Sequence, residues 1–377
     1  MPYFDNAATT RPYPEVLEAM MIVGSQNYAN PSSIHSLGDK ARQLIDQARE
    51  KVARLINADP AEIYFTSGGT EANNWLLRGF PTDNIYTSAI EHHAVLHTME
   101  AILKQDQYMT WHKVPVDTEG FVRLEDVSFV EKGSLVSVML VNNETGVLQH
   151  LESLVQAVHL RGGYFHTDAV QAAGHVPIDV KSLGVDYLSI SAHKFYGPKG
   201  VGCLYIKGGA PFPEPLITGG AQENGYRAGT ENVPAIVGFG VAAELALNEL
   251  RQERLRVLGL RHDIIDQLKQ IGAVVNGPLG GYYTSGNILN LRFPGIPGDA
   301  LVNALNEDGF QLSTGSACTS GDLDPSHVLT AMGLTADQAD EAIRISMGRY
   351  NNPEQVDLLV EAIKKNVEKI RKFLRKV

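Results

Sequence analysis

Cysteine is scarce in this chain: its 377 residues include two, Cys203 and Cys318. Two thiols so far apart in sequence supply neither a disulfide framework nor the paired spacing of a structural metal site. We therefore expect a reducing, cytoplasmic setting. With so few cysteines, the surroundings of each one indicate what it does.

An excess of positive charge is also missing, because the formal net charge is -11. Proteins that bind nucleic acid need clustered lysine and arginine against the phosphates, so no direct nucleic-acid partner is expected. The C-terminal stretch 364–377 is basic, but its apolar residues recur at helical spacing. It is predicted to be a helix with a solvated charged face.

Long apolar runs are absent as well. No stretch of about 18 consecutive apolar residues occurs, and the N-terminus has no basic segment followed by an apolar one. We therefore expect no membrane partner. The chain contains neither internal repeats nor low-complexity tracts, and its length predicts two packed domains.

Apolar strand-like segments alternate with helix-like segments over the first two thirds of the chain. This alternation predicts an α/β fold with a mostly parallel sheet covered on both faces. A first long helix is expected to begin near residues 36–39, and another covers about residues 234–271. The predicted large domain is residues 15–255, and residues 1–14 with 256–377 form a small α+β domain.

Ligands of open α/β sheets bind at the carboxyl ends of the strands, and unusual segments occur at several predicted strand ends. In "FTSGGTEANN", backbone N–H groups around Gly69 and Thr70 would suit a phosphate. The alternative is an ordinary strand-to-helix turn capped by Ser67 or Thr70. The segment matches neither the P-loop pattern nor the dinucleotide-binding pattern.

A lysine and an aspartate follow two other predicted strands. Lys194 lies in "SAHKFYGPKG" and Asp168 in "FHTDAVQ". A buried lysine can act as a Schiff-base nucleophile, whereas Lys199 in the following turn is expected to be exposed. A buried carboxylate requires a partner, and a pyridinium N–H would provide one. This pair is a mark of pyridoxal-phosphate sites.

Three histidines occur in "EHHAVLH". His93 and His97 have the i,i+4 spacing of a zinc pair, but no third ligand is suggested, so no metal is expected. A flat imidazole from His92, stacked on a cofactor ring and able to transfer protons, explains the segment better.

The two cysteines differ in their surroundings. Cys318 lies in "LSTGSACTSGD" among small residues that bury little apolar area, which predicts a mobile tether. Its residues alone support catalysis and simple loop exposure equally. Cys203 alternates with apolar residues in "GVGCLYIK" and is predicted to be an inert core thiol.

Taken in order, several motifs resemble those of cysteine desulfurases, which are class V, fold-type I pyridoxal-phosphate enzymes. The resemblance runs from "FDNAATT" to "RISMGR", and the long hydroxyl-rich segment around Cys318 is typical of the subgroup with the more mobile loop. The motifs that carry it are "TSGGTEANN", "EHHAV", "VNNETG", "HTDAVQ", "SAHKFYGPKG", "RAGTEN" and "STGSACTSG".

The resemblance implies a fold-type I transferase fold, with a seven-stranded sheet in the large domain, and pyridoxal 5'-phosphate as cofactor. It also assigns positions. The cofactor residues would be Lys194 as the Schiff-base lysine, Asp168 at the ring nitrogen, Gln171 at the ring 3-oxygen, His92 on the ring, and Gly69, Thr70, Ser191 and His193 at the phosphate. Thr230 would reach the phosphate of a neighbouring subunit, which implies a homodimer.

Asn143 and Arg344 would orient the substrate, with Arg344 holding its carboxylate. Without the resemblance, Arg344 is better explained by a surface ion pair. The implied reaction takes sulfur from L-cysteine, leaves L-alanine, and forms a persulfide on Cys318 that passes to an acceptor protein.

The resemblance implies three candidate acceptors: an iron–sulfur scaffold, a tRNA-thiolation enzyme or a carrier in cofactor biosynthesis. The short C-terminal tail favours the second or a dedicated partner. Alternative functions are a selenocysteine lyase, another class V pyridoxal-phosphate aminotransferase, or a non-catalytic scaffold.

Overall fold

A computed structural model describes residues 2–315 and 325–375. Its helices are α1 (Pro14–Gln26), α2 (Ser36–Leu55), α3 (Gly69–Gly79), α4 (His93–Leu103), α5 (Leu124–Val127), α6 (Leu151–Leu160), α7 (Val180–Leu183), α8 (Val233–Lys269), α9 (Gly298–Glu307), α10 (His327–Ala331), α11 (Ala336–Asp340) and α12 (Pro353–Leu374). Its strands are β1 (Ile63–Thr66), β2 (Asn84–Ser88), β3 (Thr110–Val114), β4 (Leu135–Ser137), β5 (Tyr164–Asp168), β6 (Tyr187–Ser191), β7 (Gly202–Ile206), β8 (Val274–Val275), β9 (Ile288–Arg292) and β10 (Ala342–Ser346).

The first seven strands form one sheet in the order β1-β7-β6-β5-β4-β2-β3. Strand β7 runs antiparallel to both of its neighbours, and the remaining pairs are parallel. Strands β4, β6 and β7 are buried along their whole length, as expected for a sheet with helices on both faces. The predicted mostly parallel seven-stranded sheet is confirmed.

This topology gathers the polar strand ends. Because β7 opposes both β1 and β6, strand β1 points the same way as β6, β5, β4 and β2. The segments that follow these five strands therefore lie along one edge of the sheet. They carry Gly69, His92, Asn143, Asp168 and Lys194, which the sequence separates by up to 125 positions.

A second, three-stranded antiparallel sheet has the order β10-β9-β8. Its apolar core contains Phe4 and residues between Leu260 and Val367. The core of the large sheet draws mainly on residues between Ala7 and Ala246. The predicted domain boundaries at residues 14/15 and 255/256 are compatible with these cores and remain a prediction.

Helix α8 joins the two regions. It begins at Val233, close to the predicted start, and spans 37 residues, a length of about 55 Å at 1.5 Å per residue. Its length and apolar composition would also suit a membrane span, but half of its most apolar window is buried. The helix packs against α1, α2 and α12, as a core helix of a globular protein does.

Candidate active site

A cavity of about 230 Å³ opens at the edge of the large sheet where the polar strand ends meet. Nine of the predicted site residues line it, namely Gly69, Thr70, His92, Asn143, Asp168, Gln171, Ser191, His193 and Lys194. Arg344 and Thr230 lie elsewhere, and Cys318 falls outside the described residues. We use the name sheet wall for Asn73, Asp168, Ser191 and Lys194.

Asp168 ends β5 and is 4% exposed. One carboxylate oxygen accepts a hydrogen bond from Val170 N at 2.9 Å, and the other accepts one from Asn73 Nδ2 at 2.7 Å. Burial raises the pKa of Asp168, although these two hydrogen bonds and the Lys194 cation oppose the rise. A cationic N–H donor in the cavity would therefore stabilise the carboxylate.

Lys194 extends from the single 3₁₀ turn that follows β6. Its Nζ donates to the carbonyl oxygens of Ala7 at 2.6 Å and Ala8 at 3.0 Å. Gln171 Nε2 donates to the same Ala7 oxygen at 2.8 Å. The N-terminal segment thus holds both side chains at the cavity.

The start of helix α3 lines one end of the cavity through Gly69 and Thr70. The helix begins at Gly69, and its first N–H groups have no acceptor within the helix. Behind it, a Cβ on Gly202 would lie 2.3 Å from Ile190 O and 2.7 Å from Gly68 Cα. Glycine at 202 therefore lets the end of β6, which carries Ser191, lie close to the start of α3.

His92 caps the N-terminus of α4, where its Nδ1 accepts a hydrogen bond from Ala94 N at 3.0 Å. Burial lowers the pKa of His92 to about 4, with a further contribution from the Lys194 cation. The ring is therefore neutral at physiological pH. Because Nδ1 accepts, the ring proton is assigned to Nε2.

The neighbouring histidines form a stack. The rings of His93 and His97 lie 4.4 Å apart and 7° from parallel, and His327 packs on His93 at 4.7 Å. Within residues 2–315 and 325–375, no three His, Cys, Asp or Glu side chains are grouped so that they could hold a metal ion.

Asp5, Asn143 and Arg344 form what we call the junction cluster, where the small sheet meets the cavity. Arg344 on β10 is 1% exposed. It donates to Asn143 O at 3.0 Å and to the carboxylate of Asp5 at 2.9 Å. The ion pair expected at the surface is thus buried on the arginine side.

Two polar atoms of this cluster are buried without a hydrogen-bond partner among the described residues, Asn143 Oδ1 and Arg344 Nε. Buried polar atoms of this kind are uncommon in folded proteins, and a bound ligand is one explanation. Asn143 lines the cavity, so its free oxygen is available to a ligand there.

The other predicted residues are placed as follows. Thr230 is exposed, in a segment anchored by the Arg227–Glu71 ion pair. Lys199 is exposed, as predicted. Cys203 is fully buried, and burial raises the pKa of its thiol, which agrees with an inert core cysteine.

Sequence reasoning missed three contributors: Asn73, Asp5 and the carbonyl oxygens of residues 7 and 8. Asn73 could have been predicted from the sequence, because it lies one helical turn after Thr70 and so shares its face of α3. The roles of Asp5 and the two carbonyls depend on contacts with residues more than 180 positions away, and no local pattern signals such contacts.

The residues present fit pyridoxal phosphate. The buried Asp168 carboxylate, the Lys194 side chain that lines the same cavity, and the N–H groups at the start of α3 match its ring nitrogen, aldehyde and phosphate.

Comparison with known proteins agrees with this chemistry. The family model Aminotransferase class-V matches residues 2–359. Cysteine desulfurase IscS of Clostridium botulinum is 44% identical over 98% of this chain and 95% of its own length. Cysteine desulfurase IscS of Methanosarcina thermophila is also 44% identical, over 98% of this chain and 92% of its own.

Solved structures are similar throughout. A NifS-like protein superposes with a TM-score of 0.90 at 40% identity, covering 97% of this chain and 99% of that one. A structure described as SspA in complex with cysteine has a TM-score of 0.82 at 33% identity, covering 93% and 100%. The chain therefore belongs to the class V aminotransferase family and, within it, to the cysteine desulfurases.

Proposed function

We propose that this protein uses pyridoxal phosphate to take sulfur from L-cysteine, leaving L-alanine and a persulfide on Cys318. The observation that carries the proposal is that Lys194 and Asp168, from two adjacent strands, line one buried cavity of the required chemistry. The cofactor, when bound, supplies an electron sink that acidifies the Cα–H bond of the substrate.

Lys194 would hold the cofactor through Nζ and, once released, carry the proton taken from the substrate Cα. Its two carbonyl acceptors, on Ala7 and Ala8, give the side-chain nitrogen a defined position at the cavity. Asp168 would keep a proton on the ring nitrogen, and Asn73 and Val170 N hold its carboxylate in place.

Arg344 would bind the substrate carboxylate, and Asn143 would help to orient the substrate. Arg344 Nε–H has no hydrogen-bond partner among the described residues, so it can donate to a carboxylate. His92 would act as a hydrogen-bond donor through Nε2, because its Nδ1 is already engaged by Ala94 N. Removing the thiol proton of Cys318 at His92 would first require that cap to open.

The proposal is tested by pairing Cys318→Ser with the matched control Cys203→Ser. Cys318→Ser is expected to keep the yellow cofactor absorbance and the spectral change on adding cysteine, but to form no alanine. Cys203→Ser is expected to form alanine at the wild-type rate. Normal alanine formation by Cys318→Ser would overturn the persulfide role.

Substrate choice is tested in the same assay. Cysteine and selenocysteine are compared as substrates of the wild type and of Cys318→Ser. If the protein is a desulfurase, Cys318→Ser, which lacks the thiol, should lose activity on cysteine. A wild-type protein active on selenocysteine alone would instead be a selenocysteine lyase.

We further propose a homodimer in which Thr230 reaches the partner subunit's cofactor. Thr230 is exposed three residues before α8, which packs against α1. The outer face of α1 exposes Leu17, Met21 and Ile22, at 54, 68 and 40%. Exposed apolar patches mark interaction surfaces. Sedimentation should give a dimer for the wild type and a monomer for Met21→Glu if this face is the interface.

The sulfur acceptor is proposed to be a cytoplasmic protein, either an iron–sulfur scaffold or a tRNA-thiolation enzyme. Loading the enzyme with ³⁵S-cysteine and adding each purified candidate distinguishes them. The true acceptor gains label from wild type and none from Cys318→Ser.

A further inference from the structure

His175 does not line the cavity, but its side chain contacts the main chain of Lys194, which does. It is 8% exposed, and its Nε2 lies 2.9 Å from the carbonyl oxygen of Lys194. Because a carbonyl oxygen can only accept, Nε2 carries a proton and donates it to this hydrogen bond. None of the roles assigned above uses His175.

His175 belongs to the turns that follow β5 and begin at Asp168. Ala172 N and Ala173 N both donate to Ala169 O, and His175 N donates to Ala172 O. The backbone between Asp168 and His175 is therefore hydrogen-bonded in consecutive turns. One short segment thus joins the carboxylate expected at the ring nitrogen to the donor at the lysine main chain.

This segment packs closely against the two residues that follow Lys194. Gly174 has φ +76°, and a Cβ placed on it would lie 2.5 Å from Phe195 Cβ. Glycine permits both this backbone conformation and this close approach. The His175 ring packs edge-on against Tyr196, with the ring centroids 6.5 Å apart and the planes at 66°. The position of the His175 donor is therefore set by packing on both sides of it.

The carbonyl group that precedes Lys194 is held as well, by the N-terminal segment. Thr10 N and Thr10 Oγ1 donate to His193 O at 3.0 and 2.9 Å. Thr10 Oγ1 also accepts from Tyr196 N at 2.6 Å. The carbonyl oxygens on both sides of the Lys194 Cα are thus engaged, the first by Thr10 and the second by His175.

The turns after β5 also reach the far end of the lysine side chain. Gln171 Nε2 and Lys194 Nζ donate to the same Ala7 oxygen, at 2.8 and 2.6 Å. The contact that His175 makes is different, because it does not involve Nζ. It is therefore available both when Nζ holds the cofactor and when Nζ is released.

We propose that His175 is a positioning residue for Lys194. By holding the carbonyl oxygen of Lys194, it fixes the Cα from which the side chain extends and raises the effective concentration of Nζ at the cofactor aldehyde. An amine fixed in this way competes for the aldehyde better than a mobile one. The proposal rests on the proposed function, because it takes Lys194 as the residue that holds the cofactor.

The test is a competition between Lys194 and methylamine for the cofactor of the holoenzyme. Methylamine is added at increasing concentration, and borohydride reduction then fixes the cofactor to whichever amine holds it. Mass spectrometry of the peptides gives the share fixed on Lys194. The quantity compared between variants, at equal cofactor content, is the methylamine concentration that displaces half of this share.

Two variants of similar size separate the donor from the bulk of the ring. His175→Leu has no donor and should need about 3- to 10-fold less methylamine than wild type, as expected for the loss of one hydrogen bond. His175→Gln has an Nε2 that can donate and should stay within about twofold of wild type. A purely structural role for the ring would not produce this difference.

A matched control and a substitute variant complete the experiment. His166→Asn changes another buried histidine, which contacts Ser137 and Ser189, and should leave the methylamine concentration unchanged. If His175→Leu does not fold, His175→Asn takes its place, because its amide nitrogen corresponds to the ring Nδ1 and ends short of the lysine carbonyl.

Wild-type resistance to methylamine in both His175→Leu and His175→Asn would overturn the proposal. Equal losses in His175→Leu and His175→Gln would also overturn it, since the donor would then be irrelevant, as would an equal loss in His166→Asn. A wild-type holoenzyme in which borohydride does not fix the cofactor on Lys194 would instead refute the proposed function itself.

Discussion

In the sheet wall, Asp168 is held by Val170 two residues along the chain and by Asn73 on the adjoining helix. In the junction cluster, Arg344 is held by Asp5 and by Asn143, which lie 339 and 201 residues away. The two regions border the same cavity. The contacts of Asp168 lie within the large sheet and its helices, whereas the contacts of Arg344 form only when the N-terminal segment and both sheets have come together.

This difference divides the chemistry. Asp168, expected to act on the cofactor, is held by contacts within the large sheet and its helices, although Lys194 also depends on the carbonyl oxygens of Ala7 and Ala8. Arg344, expected to recognise the substrate, is held by contacts that join the two sheets and the N-terminal segment. Substitutions in the sheet wall should therefore lower turnover with little change in KM for cysteine. Substitutions in the junction cluster should mainly change KM.

The largest expected effect is in the sheet wall. Asp168→Asn removes the negative charge that would keep the ring nitrogen protonated, so turnover should fall by about 10²-fold or more. Cofactor content and KM should change little, because the amide can still accept from Val170 N. Cofactor content is measured by absorbance, and turnover and KM are measured by alanine formation. Loss of activity fully explained by loss of cofactor would contradict this division.

A smaller and opposite effect is expected in the junction cluster. If Arg344 binds the substrate carboxylate as proposed, Asp5→Asn removes a competing carboxylate, so KM for cysteine should fall by about 2- to 10-fold, the equivalent of roughly 0.4–1.4 kcal/mol. The melting temperature should also fall, because a buried arginine loses its counter-charge. Arg344→Lys is the comparison and should raise KM. A higher KM in Asp5→Asn would show that Asp5 assists binding.

The smallest effect concerns stability alone. His166 is fully buried between Ser137 and Ser189, and burial lowers its pKa to about 3. Because the unfolded state binds the proton near pH 6.5, this histidine favours folding above that pH, and its contribution is lost as the pH falls.

Between pH 6 and 5, His166→Asn should therefore reduce the slope of unfolding free energy against pH by about 1 kcal/mol per unit. Urea titrations at several pH values measure this slope. The control is His262→Asn, which changes an exposed histidine on α8. If His166→Asn and His262→Asn changed the slope of unfolding free energy against pH equally, burial of His166 would not be the cause.

The same contrast explains what the sequence could predict. The strand ends after β5 and β6 and the glycine-containing start of α3 are signalled by residues adjacent in the chain. The sequence could therefore place Lys194 and Asp168 at strand ends, and both line one cavity, while their roles remain a prediction. The burial of Arg344 and its pairing with Asp5 depend on how the two sheets and the N-terminal segment come together. Periodicity and local propensity contain no information about that docking.

Gly202 shows how far such dependence extends. It lies on β7, which runs antiparallel to both of its neighbours, beside the start of α3 and the end of β6. It does not line the cavity. A methyl group on Gly202 would push the start of α3 away from Ser191 and widen the end of the cavity where the cofactor phosphate is proposed to bind. The absence of a Cβ at Gly202 therefore helps to set how large an anionic group would fit there, although Gly202 itself does not line the cavity.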